Sequence, residues 1–276
     1  MYRFLGRSVL IAALVTFTGV AAFAQRDKDR SLTCRADSWE RDADRLVSNC
    51  EIREQKLAPS GMIAIDGRQN GGISVKGWDQ NQILLRARVQ ANAPTAAEAE
   101  ALGKQVRIET SGAKIKATGP ESKRDYRWDV SYEVFVPRRS DISLETHNGG
   151  IAIADVNGKI DFSALNGGVV LKRVGGAVRG STTNGGLMIE LSGDRWDGES
   201  MDVSTTNGGV IMSVPENYSA HIETGTVNGG VNTEFPVTVK GEMTKQIAVN
   251  LGSGGATVRA MTTNGGVHLK KLTNNE

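Results

Sequence analysis

Few of the residues that most chemistry depends on are present in this sequence. Aromatic side chains make up 5% of the 276 residues, there are three histidines and two cysteines, and 33 basic residues face 31 acidic ones. Charge this close to balance, with no dense Lys/Arg cluster anywhere, leaves no footprint for a phosphate backbone and argues against nucleic acid as a partner. Scarce aromatics weaken a stacking platform for sugars. His147, His221 and His268 fall in unrelated positions of the pattern described below, and no Ser/His/Asp set, Lys-bearing phosphate loop or metal-ligand spacing occurs. The expectation is a protein without cofactor, metal or catalytic residues.

Long apolar runs are also missing, with one exception. Arg3 and Arg7 precede an apolar stretch from Val9 to Ala22, and Ala22-Phe23-Ala24 before Gln25 has the small-x-small form of a signal-peptidase site. The stretch is shorter than the roughly 20 residues of a spanning helix, and no later segment is apolar enough to span. Residues 1–24 are therefore expected to be a signal peptide, cleaved near Ala24. The mature chain, with no transmembrane segment, would be periplasmic or at the cell surface. In an exported chain the lone pair Cys34 and Cys50 reads as a disulfide. It would contribute about 3 kcal/mol in the chain-entropy model and tie down an N-terminal cap over residues 25–60. The charged stretch from Asp37 to Val47 reads as a short helix or a loop.

What the chain does have is a repeat. Asn148-Gly149-Gly150, Asn166-Gly167-Gly168, Asn184-Gly185-Gly186, Asn207-Gly208-Gly209, Asn228-Gly229-Gly230 and Asn264-Gly265-Gly266 recur at steps of 18, 18, 23, 21 and 36 residues, the last being twice 18. Weaker turns, Asn157-Gly158, Gly175-Gly176 and Gly193-Asp194, come nine residues after a triplet, so each unit holds two strands and two corners. A tight corner calls for positive φ, which Gly adopts freely and Asn tolerates, so the triplets read as structural corners. Six, four and two residues before each Asn, apolar residues and Thr share one parity and one face, while the positions between are polar. Because whole columns repeat, the expected fold is all-β: a parallel β-solenoid, right-handed and β-helix-like, over residues 141–276. An antiparallel meander of nine-residue legs is the alternative.

Two stretches of the repeat stand out. Ala152, Val170, Met188 and Ile211 occupy successive rungs at a position whose parity faces outward, so this face is either covered by the chain's own N-terminal half or is a binding face. After Gly193 a five-residue expansion gathers Asp194, Trp196, Asp197 and Glu199. Carboxylates so close in sequence could act on a glycoside or hold Ca²⁺, although charge runs usually mark solvated surface.

Residues 61–140 are β-rich but irregular. An early Asn70-Gly71-Gly72 is followed by strands at Ile83 to Val89 and Val130 to Val136, with a hairpin around Ile108 and Ile115. One helix is expected near 95–105, where Thr95-Ala96-Ala97-Glu98 has capping-box form.

The triplet array resembles the bacterial adhesin-like family of β-strand-repeat proteins, the domain of unknown function 4097. So does the stretch Trp-Asp-Val-Ser-Tyr-Glu-Val-Phe-Val-Pro, Trp128 to Pro137, feeding Leu144-Glu145-Thr146-His147-Asn148-Gly149-Gly150, and so does the upstream Asn49-Cys50-Glu51-Ile52-Arg53-Glu54. The resemblance covers most of the mature chain. It implies a β-helix-like fold and an envelope or extracellular setting; related proteins are linked to sensing envelope stress, and the family supplies no catalytic residues to carry over. The expected function is a non-enzymatic, adhesin-like binding or scaffold module of the cell envelope, with a protein or polysaccharide component as partner. The alternative is a β-helix enzyme, a lyase or glycoside hydrolase acting on polysaccharide.

Overall fold

The structure is a computed structural model that describes residues 32–34, 46–59, 61–235 and 245–272. The leader expected at residues 1–24, with its cleavage point near Ala24, lies outside the described residues, as does nearly all of the charged stretch from Asp37 to Val47. The described chain is all-β apart from one α-helix and one 3₁₀ turn, and its strands form two ten-stranded sheets, mostly parallel, around one core.

The 18-residue period is laid down directly in the strands. β8 (Ile142–Thr146), β10 (Asn157–Ala164), β12 (Gly175–Asn184) and β14 (Ser200–Asn207) are neighbours in one sheet; β9 (Ile151–Ala154), β11 (Val169–Lys172), β13 (Leu187–Glu190) and β15 (Val210–Val214) are neighbours in the other. The chain thus crosses between sheets at every corner, and each unit lies parallel on its predecessor, Ile142 beside Ile160 beside Val178 and Ile151 beside Val169 beside Leu187. An antiparallel meander is not what forms in these units. The inward columns are buried: Ile142, Ile160, Val178, Met201, Ile222 and Val258 are all 0% exposed. Where that layer needs room it has it, since a Cβ on Gly180 would stand 2.5 Å from the ring of Phe162 on the preceding unit.

Stacking order departs from chain order at both ends. β16 (Ala220–Asn228) and β17 (Val231–Thr233) follow β15 in sequence, but β19 (Thr257–Asn264) and β20 (Val267–Lys271) are inserted between the two pairs, with Val258 lying between Met201 and Ile222. The 36-residue step holds β18 (Gln246–Leu251), which pairs antiparallel with β16 at the sheet edge. At the other end, β2 (Ile63–Asp66) and β3 (Ile73–Trp78) flank Asn70-Gly71-Gly72 and stack on β8 and β9 across more than 70 residues of sequence. Units with the same column of side chains are interchangeable neighbours, so the pattern fixes register within a sheet but not which unit comes next.

Beyond β3 the sheet that holds β9 continues through β7 (Arg127–Pro137), β4 (Ile83–Ala93) and β1 (Val47–Leu57), the last two antiparallel; the other sheet ends with β6 (Lys114–Thr118) and β5 (Arg107–Glu109), the expected hairpin. Helix α1 (Ala96–Gln105) begins as the capping box requires, with Glu98 N–H donating to Thr95 Oγ1 at 3.3 Å. It buries Ala99, Leu102 and Gly103 against β1 and β4. Cys34 and Cys50 form a disulfide with Cα atoms 5.7 Å apart, and Cys50 lies within β1.

Candidate functional site

The outward apolar residues fall into one row. Ala152, Val170, Met188 and Ile211 sit side by side on β9, β11, β13 and β15, at the interstrand spacing of about 4.8 Å. Met188 is 37% exposed and the other three are half-buried. The row is polar at both ends, with Ser74 and Glu133 on one side and His268 and Asn232 on the other. One row further along the strands lie Lys76, Ala154, Lys172, Glu190, Ser213 and Lys270. Within residues 51–137, β3, β7, β4 and β1 extend this sheet edgewise, and helix α1 packs where a Cβ on Gly103 would lie 3.7 Å from that of the inward-facing Ala91.

The expansion after Gly193 has a different character. Trp196 is 5% exposed and its Nε1 donates to Gly176 O at 3.1 Å, so the indole closes the edge of the core. Asp194 is exposed and paired with Arg195 at 3.1 Å, which holds its carboxyl below the usual range. Asp197 Oδ2 accepts from Asn157 Nδ2 at 2.6 Å. Asp197 opens on a depression with Pro59 and Arg139, whereas Glu199 opens on another with Asp161 and Arg179. Among the described residues no three His, Cys, Asp or Glu side chains gather as a metal would require. The two depressions adjoin, sharing Asp141 and Gly158, and the buried indole anchors the middle of the loop between Asp194 and Asp197.

The histidines do not meet. His221 Nδ1 lies 2.6 Å from Asn250 Oδ1 and its Nε2 3.3 Å from Glu223, while His147 stands at a corner and His268 on the other sheet.

At the corners the glycines have a reason other than the expected one. None of the triplet glycines has positive φ. Instead, a Cβ on the first glycine would strike the first-glycine carbonyl of the neighbouring coil, at 2.2 Å for Gly149, 2.0 Å for Gly167, 2.1 Å for Gly185 and 2.2 Å for Gly208. The requirement is close approach between coils rather than a left-handed turn. Except at Gly149, where the next coil has Ala164, a Thr on the next coil, buried by its parity, donates to that carbonyl: Thr146 to Gly71 at 2.7 Å, Thr182 to Gly167 at 2.7 Å, Thr205 to Gly185 at 2.6 Å and Thr262 to Gly208 at 2.7 Å. The Asn side chains form an unbroken ladder, each Nδ2 donating to the Oδ1 before it, from Asn148 to Asn70 (3.1 Å) through Asn166, Asn184, Asn207 and Asn264 to Asn228 (2.8 Å).

Two features carry no local sequence signal. On the opposite edge Asp155 (φ 59°) and Arg173 (φ 50°) are left-handed without being glycine, and Arg173 donates to both carboxylate oxygens of Asp155 at 2.8 Å and to Glu190 at 3.1 Å. That guanidinium holds the Asp155 carboxyl below its ordinary range against the opposing effect of burial. Near the first corner, a cavity of about 620 Å³ is lined by residues of the segments 67–70, 117–122 and 127–132. Tyr132 lines it, 2% exposed, with a hydroxyl that has no partner among the described residues and whose pKa burial pushes up. Only the departure of Asp66-Gly67-Arg68-Gln69-Asn70 from the later Thr-x-Asn form could have pointed to this place.

No family model matches the chain, and no curated protein matches it. Among solved structures it is similar to a candidate cell adhesion protein of Clostridium sporogenes, at 13% identity and a TM-score of 0.43 over 82% of this chain and 100% of that one. A candidate adhesin of Bacteroides fragilis is 9% identical with a TM-score of 0.32, over 80% of this chain and 97% of that one. A candidate lipid-binding protein of Parabacteroides distasonis is 10% identical with a TM-score of 0.33, over 82% of this chain and 97% of that one.

Proposed function

We propose that the chain is an exported, right-handed β-solenoid of the cell envelope, related to the domain of unknown function 4097, that works by binding rather than by catalysis. The observation that carries this reading is the row Ala152, Val170, Met188 and Ile211, aligned on four adjacent strands and left partly open to solvent. A parallel sheet is normally covered on both faces, and an apolar row with polar ends is what a partner surface would cover. The disulfide fits an oxidising compartment. An enzymatic reading on Asp194, Asp197 and Glu199 has less support, since Asp194 is paired with Arg195 and Asp197 with Asn157.

A pull-down from the native cell envelope tests the proposal, comparing the unaltered protein with a Val170→Glu, Met188→Glu, Ile211→Glu variant whose circular dichroism matches it. Capture of one envelope component by the unaltered form alone supports the binding face. Equal capture by both, or none, refutes it.

A further inference from the structure

Along the edge that carries the Asn-Gly-Gly corners, the connection between β6 and β7 has no triplet. There residues 119–126, Gly-Pro-Glu-Ser-Lys-Arg-Asp-Tyr, replace the triplet. This loop closes on itself, Lys123 N–H donating to Tyr126 O at 2.8 Å, while the Tyr126 hydroxyl donates to Glu98 at 2.8 Å. It arches away from the neighbouring corner and leaves the cavity of about 620 Å³, within the range of small-molecule sites.

Four groups around this cavity are held in place with binding capacity to spare. Trp128 forms one wall; its Nε1 donates to Pro120 O at 2.7 Å, and Gly119 makes room for the ring, since a Cβ there would stand 2.9 Å from its Cζ2. Arg68, left-handed at φ 51°, is fixed by Nη1 donating to Ala117 O at 3.1 Å and by its own N–H donating to Asp66 Oδ1 at 2.8 Å; backbone strain of this kind concentrates at functional sites. Asn70 is the first rung of the amide ladder. It accepts from Asn148, every bond in the ladder runs the same way, and no earlier Asn stands where its own Nδ2 could donate. Linked amides polarise one another, which sharpens that terminal donor. Tyr132 stands buried behind them with its hydroxyl unpaired among the described residues.

We propose that this cavity binds a neutral saccharide, one pyranose ring lying against Trp128 with its hydroxyls between Asn70, Arg68 and Glu121. Sugar hydroxyls both donate and accept, so they suit a site that mixes amide and guanidinium donors with a carboxylate acceptor beside an apolar wall. An anion would meet the Glu121 carboxylate, and an apolar ligand would leave the Asn70 amide and the remaining Arg68 donors desolvated without partners. The site is separate from the outward row on β9, β11, β13 and β15 and does not depend on it.

The test is calorimetric titration of the full chain with cellohexaose, maltohexaose, laminarihexaose and chitohexaose, and with hexagalacturonate as the acidic counter-probe. Asn70→Asp keeps the acceptor for Asn148, replaces the spare donor by a second acceptor oxygen and adds one negative charge, which the Asn166→Asp control also adds. Asn166→Asp makes the same change in mid-ladder, away from the cavity, and Trp128→Phe reduces the wall. A neutral hexaose is expected to bind with 1:1 stoichiometry, weakened about tenfold by Asn70→Asp and also weakened by Trp128→Phe, while Asn166→Asp lowers the unfolding temperature without changing affinity. No binding of any neutral hexaose, tighter binding of hexagalacturonate, or equal weakening by Asn70→Asp and Asn166→Asp would each overturn the proposal.

Discussion

Gly167→Ala and Gly168→Ala, adjacent and chemically identical substitutions, should have opposite consequences. A Cβ on Gly167 would stand 2.0 Å from Gly149 O, 2.5 Å from its carbonyl carbon and 3.0 Å from Gly150 N. Neither backbone can yield cheaply. Asn166 N–H donates to His147 O at 2.7 Å, Asn166 and Asn184 each donate along the ladder at 2.8 and 2.7 Å, and Thr182 Oγ1 donates to Gly167 O at 2.7 Å. Overpacking of this kind costs about 1–3 kcal/mol, and losing two neighbouring hydrogen bonds as the coils part adds about 1 kcal/mol each. The sum is a destabilisation of about 3–5 kcal/mol. At Gly168 the nearest atom to a new Cβ is Gly186 O at 3.6 Å, an ordinary contact, and φ is not positive. There Ala should be neutral or stabilising by up to about 1 kcal/mol, because it restricts the unfolded chain. Urea unfolding followed by circular dichroism measures both. If the two variants lie within about 1 kcal/mol of each other, close approach between coils is not why the first glycine is there.

Thr182→Val keeps the shape of a fully buried side chain and removes the donor to Gly167 O, and should cost about 1–2 kcal/mol in the same assay; no loss would mean that the carbonyl finds another donor. Tyr132→Phe should do the reverse, raising stability by up to about 1 kcal/mol, since it deletes a buried hydroxyl without a partner among the described residues; a loss of that size would show the hydroxyl to be bonded. The Arg173 guanidinium lowers the folded-state pKa of Asp155, so its stabilisation is present above the unfolded value of about 4 and disappears as pH falls through the folded value. Asp155→Asn should therefore weaken the protein near neutrality and flatten its loss of stability between about pH 5 and pH 2, read as urea midpoints across that range. An unchanged slope would remove Asp155 from the acid response.

Much of this architecture was legible because its period is short and its residues are chemically distinct. Columns such as Ile142, Ile160 and Val178 declare a buried face by parity, Thr95 and Glu98 declare a helix start, and Pro137 closes a strand that alternates cleanly from Val130. The candidate residues after Gly193 were legible only as composition. Whether Asp194, Asp197 and Glu199 converge depends on where Trp196 goes, and burial of an indole against Gly176 is a three-dimensional event. The cavity beside Trp128 was invisible because its walls come from segments up to 65 residues apart, each unremarkable in its own neighbourhood.

By itself, then, the sequence determined the all-β class, the two strands and two corners of each unit, and which residues face the core. Those follow from side-chain alternation and turn chemistry, which act over a few residues. Only the tertiary structure decided that the last unit lies between Asn207 and Asn228, that Asn70 begins the ladder joined by Asn148, and that the triplet's first glycine answers to a neighbouring coil rather than to its own φ. Identical columns make units equivalent partners in pairing, so their order is settled by the connections and by contacts between coils, which no single stretch of the chain contains.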